Sequence, residues 1–127
     1  MTATVTRNRL FVLLFLIVAL VVTSGCTLQR KIIVTSDFAS EPATPKVGEA
    51  TKLTAKLGGL ESYEEVYVDF EMKIKDERKR ELVKGKQTST AFYEGVQTFS
   101  KPGTYLIEVH VYTPNDHDTF RSELVVE

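Results

Sequence analysis

His110 and His117 are the two histidines of the chain, and the residues around them are of the kind that hold metal ions. Strict alternation along the segment Tyr105 to Tyr112 puts His110 on the same outward face as Glu108. His117 stands between Asp116 and Asp118, beyond the turn residue Pro114, which allows the chain to fold it back toward His110. Neutral imidazole is a good ligand for borderline divalent ions, so two imidazoles with carboxylates nearby could hold Cu(II) or Zn(II). The residues alone also fit a plainer arrangement, with His110 as a half-exposed strand residue and Asp116-His117-Asp118 as a solvated turn. The single cysteine, Cys26, excludes an internal disulfide and any multi-thiolate metal cluster. No phosphate-binding glycine loop, G-x-S-x-G elbow or H-E-x-x-H pair occurs in the chain, and no nucleophile stands beside a base, so a non-catalytic protein is expected. With 16 Lys+Arg against 17 Asp+Glu, the chain also lacks the basic excess of a nucleic-acid binder.

The amino terminus reads as an address. Arg7 and Arg9 precede thirteen unbroken apolar residues, Leu10 to Val22, which end in Thr23-Ser24-Gly25-Cys26. A basic start, a short apolar run and a small-residue exit make the layout of a signal peptide. As a helix the run reaches about 20 Å, short of the roughly 30 Å hydrocarbon core of a bilayer. Ser24, Gly25 and Cys26 resemble the lipobox of bacterial lipoproteins, and Thr23 departs from it where that family prefers Leu. The resemblance implies a diacylglycerol on the Cys26 thiol, cleavage before it, and a chain held on the outer side of the cytoplasmic membrane of a bacterium by lipid inserted at Cys26. Cleavage there removes 25 residues, two of them basic, and leaves 14 basic residues against 17 acidic. The expected organisation is a signal helix over 1–25, a polar tether over 26–35 and one domain over 36–127.

Period two governs that domain. Leu53, Ala55 and Leu57 alternate with Lys52, Thr54 and Lys56, and Val66, Val68, Phe70, Met72 and Ile74 alternate with Tyr67, Asp69, Glu71 and Lys73. Tyr105, Ile107, Val109 and Val111 repeat the pattern, and Phe120, Leu124 and Val126 close the chain in the same phase. Such alternation marks strands with one dry and one wet face. Ile32 to Val34 is expected to open a first strand, the stretch Ser36 to Lys46 to be extended and broken by Pro42 and Pro45, Gly95 to make a bulge, and Pro114 to Asp118 to form a polar loop. Lys101-Pro102-Gly103 is a turn. About seven short strands separated by turns predict an all-β, immunoglobulin-like antiparallel sandwich.

Pro45-Lys46-Val47-Gly48-Glu49, the strand Val68 to Met72, and Lys101-Pro102-Gly103-Thr104-Tyr105 through His110-Val111 resemble, in that order, the YtkA-like family of small bacterial extracytoplasmic proteins. The likeness covers about Ser36 to Glu127. It implies an immunoglobulin-like sandwich without established enzymatic activity, loosely grouped with the FixH-like proteins that accompany copper handling and oxidase assembly. Members of the family often carry a His in the last two strands, a second His and a Met shortly after, and a His-Glu-Met run on an earlier strand. Here His110 and His117 stand at the first two places, Thr119 or Phe120 at the Met place, and Arg80-Glu81-Leu82 in the earlier run. The resemblance thus implies the remnant of a metal site, without the thioethers that favour Cu(I).

The expected function is that of a membrane-tethered interaction or accessory module with a protein partner at the membrane surface, and the alternative is a copper- or zinc-binding or delivery lipoprotein. Outward aromatic residues among Tyr63, Tyr67, Phe92, Tyr93 and Tyr112 are candidates for the partner surface. Lys73 to Lys86 carries seven basic and three acidic residues, suited either to anionic headgroups or to a solvated, charge-protected edge. Replacing Cys26 by Ala is expected to release the protein from the membrane fraction or to leave it unprocessed; normal maturation and fractionation of Cys26→Ala would exclude the lipid.

Overall fold

The structure, a computed structural model, describes residues 35–127 together with the single helical residue Val12. The signal helix, Cys26, most of the tether and the strand start expected at Ile32 to Val34 lie outside the described residues. Among the described residues no helix is long and apolar enough to cross a membrane.

Seven antiparallel strands follow one another: β1 (Thr35–Glu41), β2 (Ala50–Gly58), β3 (Tyr67–Ile74), β4 (Glu81–Ser89), β5 (Phe92–Thr98), β6 (Gly103–Thr113) and β7 (Asp116–Val126). The fold is all-β, as the alternation predicts. β1 begins at Thr35, the last residue allotted to the tether, and ends at the cis bond between Glu41 and Pro42. In the order β1-β2-β5-β4-β3-β6-β7 the strands form a single continuous sheet. Two layers, β1-β2-β5 and β3-β6-β7, arise because β4 belongs to both. Its first half, Glu81 to Gly85, pairs with β3, and its second half, Lys86 to Ser89, pairs with β5. On the opposite side, Val47 N–H donates to the Glu127 carbonyl at 2.9 Å and Glu127 N–H to the Pro45 carbonyl at 2.9 Å, so the sheet almost closes into a barrel.

Between the layers lie the inward residues of every alternating run, among them Leu53, Ala55, Leu57, Val68, Phe70, Met72, Ile107, Val109 and Val111, each no more than 2% exposed. Each large aliphatic or aromatic side chain among them contributes roughly 1.5–3 kcal/mol on full burial. Phe70 sits at the joint. Its ring faces bare backbone on two sides: a Cβ on Gly85 would stand 3.2 Å from the ring and 2.9 Å from the Val68 carbonyl, and one on Gly95 would stand 3.3 Å from the ring and 2.8 Å from Val83 Cγ1. From β1, Phe38 packs toward the same ring at a centroid distance of 6.4 Å. Gly95 therefore makes no bulge. It pairs regularly with Leu53 and is glycine because the joint has no room for a side chain. The irregularity lies instead in β4, between Gln87 and Ser89.

The turn Lys101-Pro102-Gly103 leads into a tyrosine corner: Tyr105, buried against Phe99 at 4.7 Å, donates its hydroxyl hydrogen bond to the Lys101 carbonyl at 2.9 Å. This device belongs to immunoglobulin-like sandwiches, where it fixes the corner before the sixth strand. Tyr93 is buried rather than displayed, while Tyr67 is 66% exposed. The basic stretch leads into β4, which is interior in the strand order although each half of it is paired on one side only, and Lys75, Lys79 and Arg80 each reach a carboxylate.

Gly85→Ala is expected to cost about 1–3 kcal/mol by overpacking, read as a lower urea midpoint at unchanged slope. The same change made in a Phe70→Leu background should cost measurably less, and equal penalties in the two backgrounds would exclude the contact with the Phe70 ring as the cause and leave the Val68 carbonyl, 2.9 Å away, as the obstacle. Tyr105→Phe should cost about 1 kcal/mol through the lost corner hydrogen bond.

Candidate functional site

The outward residues of β3, β6 and β7 form one face, and the strand register sets their neighbours. Glu71 stands directly across from Glu108, and Glu108 across from Arg121. One step along, Asp69 stands across from His110 and His110 across from Thr119; a further step sets Tyr67 against Tyr112 and Tyr112 against His117. His110 is thus a diagonal neighbour of Glu71 and lies two residues from Glu108 on its own strand.

The expected loop from Pro114 to Asp118 is only the turn at Pro114-Asn115. β7 starts at Asp116, where the Asp116 carboxylate accepts the His117 N–H at 2.9 Å. His117 is consequently a strand residue stacked on the Tyr112 ring, with centroids 4.3 Å apart and planes 10° apart. The structure brings the two histidines together: His110 Nδ1 lies 3.0 Å from His117 Nε2 and 3.1 Å from Thr119 Oγ1. Thr119, one of the two residues at the resembled Met place, is thus a neighbour of His110.

The other ring nitrogen of His110 faces carboxylates. Nε2 is 3.6 Å from Glu71 Oε2 and 3.8 Å from Glu108 Oε2, inaccessible to solvent and without a hydrogen-bond partner. One donor atom from each of Glu71, Glu108 and His110 lies within 4.8 Å of the other two. Two carboxylates directly opposite on neighbouring strands repel, and arginines offset this repulsion. Arg121 Nε donates to Glu108 Oε1 at 2.7 Å; Arg80 binds Glu71 Oε1 and lies 3.5 Å from Glu108 Oε2. The hydrogen bond from Arg121 holds the Glu108 carboxyl below its ordinary range against the opposing effect of burial, and the charges of Arg121, His110 and Arg80 act in the same direction as that bond. The Glu71 carboxylate correspondingly raises the Arg80 guanidinium above its ordinary value, chiefly through their hydrogen bond.

Glu71 escaped the sequence reading of the site, as did the roles of Arg80 and Arg121. Alternation does mark Glu71 as outward, but its placement beside His110 depends on the β3–β6 register, to which no local pattern points. Arg80 reaches the cluster from the segment just before β4. The depression lined by Met72, Ile74, Lys101 and Tyr105 has a volume of about 30 Å³, room for a single water molecule, and it lies apart from the histidines.

Scanned against models of known protein families and against curated proteins, the chain matches none of them.

The lowered ionisation range of Glu108 carries a pH signature. A carboxyl held below its unfolded-state value adds stability that is fully present above the unfolded value and is lost as pH falls through the folded one. Arg121→Gln should therefore be less stable than wild type at pH 7, with the difference shrinking as pH drops below the ordinary carboxylate value of 4.5. Thermal unfolding of both proteins from pH 7 down to pH 2 checks this, and a difference that persists undiminished at the acid end would refute the assignment.

Proposed function

We propose that the chain is a non-catalytic extracytoplasmic module, tethered to the membrane by lipid on Cys26, that works through the outer face of β3, β6 and β7. The observation that carries this reading is the grouping of Glu71, Arg80, Glu108, His110, His117 and Arg121 on one outward face, next to the exposed ring of Tyr67. Aromatic and arginine side chains are enriched where proteins meet partners. The lipobox resemblance supplies the location, and the likeness to YtkA-like proteins supports an accessory role at the membrane surface with a protein as partner.

A second reading, metal binding or delivery with copper or zinc as the ion, is favoured by the partnerless His110 Nε2 turned toward two carboxylates and by the closeness of His117. The donors are oxygen and nitrogen, which suits divalent ions rather than Cu(I).

Detergent extracts of membranes that carry the full chain are expected to yield one stoichiometric protein partner on affinity capture. Tyr67→Ala should lower the recovery at least about fivefold, a loss on the scale of a minor interface hot spot. Equal recovery with Tyr67→Ala would remove this face from the interaction, and capture that persists from a soluble fraction of Cys26→Ala cells would remove the need for tethering.

A further inference from the structure

We infer that Glu71 Oε2, Glu108 Oε2 and His110 Nε2 are the ligands of a single divalent transition-metal ion of the zinc class, and that His117 is a positioning residue for His110 rather than a ligand. The inference deepens the metal reading above and rests on it.

Distances carry the argument first. The gaps of 3.6 Å and 3.8 Å from His110 Nε2 to the two carboxylate oxygens are too long for hydrogen bonds. They are close to the spacing of ligands round an ion: tetrahedral donors each about 2.0–2.2 Å from zinc stand about 3.3–3.6 Å apart. One carboxylate oxygen of each glutamate lies within 4.8 Å of the other and of a His110 ring nitrogen, a spacing that small side-chain shifts close round an ion.

Proton placement is the second point. With the His110 proton on Nδ1, donated to His117 Nε2 at 3.0 Å, Nε2 presents a lone pair toward two anionic oxygens, and three acceptors converge with no hydrogen bond between them, the Arg80 guanidinium standing 3.5 Å from Glu108 Oε2 on the flank. With the proton on Nε2, it points into gaps that no hydrogen bond spans, and the atom is already cut off from water. A buried polar atom without a partner is costly in either form. A cation among the three atoms satisfies all of them at once.

Charge is the third point. Arg80 and Arg121 bind the Oε1 atoms of Glu71 and Glu108 and so orient both carboxylates with Oε2 turned toward His110. Metal-bound histidine characteristically donates its other N–H to a neighbouring acceptor, which fixes the ring and its tautomer. His117 Nε2 stands where that acceptor must be. It is held there by its stack on Tyr112 and by the Asp116 turn. An ion bound this way keeps a coordination position for water or for a donor group of a partner, as open zinc sites do.

The test uses the tag-free full chain in detergent micelles, titrated with ZnCl₂ by calorimetry, with CoCl₂ as a spectroscopic probe. One zinc per chain is expected, with a dissociation constant below about 100 μM. Glu71→Gln and Glu108→Gln, each of near-identical shape to the residue replaced and checked for folding by thermal unfolding, should each weaken binding at least about tenfold, and His110→Ala about a hundredfold. His117→Ala should weaken binding about 10–100-fold, the scale of outer-shell partners, while the positions of the cobalt absorption bands stay as in wild type. His117→Gln, whose amide oxygen can accept the same hydrogen bond, should restore most of the affinity. Zinc affinity unchanged in both glutamine variants, a cobalt spectrum altered by His117→Ala, or no binding tighter than about 100 μM to wild type would overturn the assignment. Membrane fractionation of the same variants separates this failure from that of the tethered-module reading, because fractionation depends on Cys26 alone.

Discussion

Phe70 occupies the place where a single sheet passes from one layer to the other, and the passage works only because backbone without side chains meets the ring on two sides. Gly85 in β4 and Gly95 in β5 supply that backbone. With the joint closed in this way, β4 can hydrogen-bond to β3 with its first half and to β5 with its second half, and the sheet needs no break to become two-layered. The same ring fixes the phase of β3. With Phe70 turned inward among Val68 and Met72, Asp69 and Glu71 must turn outward, because successive side chains on a strand point to opposite faces. Core packing at one residue thus determines which acidic groups reach the outer face of β3, β6 and β7.

That face holds an electrostatic conflict and its resolution. Glu71 and Glu108 are directly opposed across β3 and β6. Arg80 and Arg121 neutralise them from two sides, and neither arginine lies on the strands that carry the glutamates. The ion pairs involve exposed guanidinium groups and contribute little to stability singly. Their consequence is orientation: each carboxylate has its Oε1 held by an arginine and its Oε2 turned to His110, with the Arg80 guanidinium also 3.5 Å from Glu108 Oε2. The site we propose depends on this division between the two oxygens as much as on the identity of the ligands.

Most of the fold is legible in residue alternation. The buried rows Leu53-Ala55-Leu57, Val68-Phe70-Met72 and Ile107-Val109-Val111 are the rows that period two assigns to the interior, because a strand with one wet face must alternate. The misreadings share a cause. Gly95 signalled irregularity, and its actual role is to make room for Phe70 and Val83, which come from other strands. Asp116-His117-Asp118 has the composition of a loop, but its pairing with β6 makes it strand. In both cases the pairing or packing of a neighbouring strand overrode a local preference.

The amino-acid order by itself determined the apolar run Leu10 to Val22 ahead of Cys26, the all-β class, the inward and outward sets of each strand, and the two histidines as the residues most suited to chemistry. These follow from properties that a residue carries along its own segment: hydropathy, period and turn preference. Only the tertiary structure decided that His110 and His117 touch, that Glu71 joins them, and that Arg80 and Arg121 hold the carboxylates in place. The two-residue turn sets the register of the β6–β7 hairpin, but the register of β3 against β6 is set by how their dry faces interlock in a shared core, and that interlocking involves residues far apart in the chain, so no single segment encodes that Glu71 becomes a neighbour of His110.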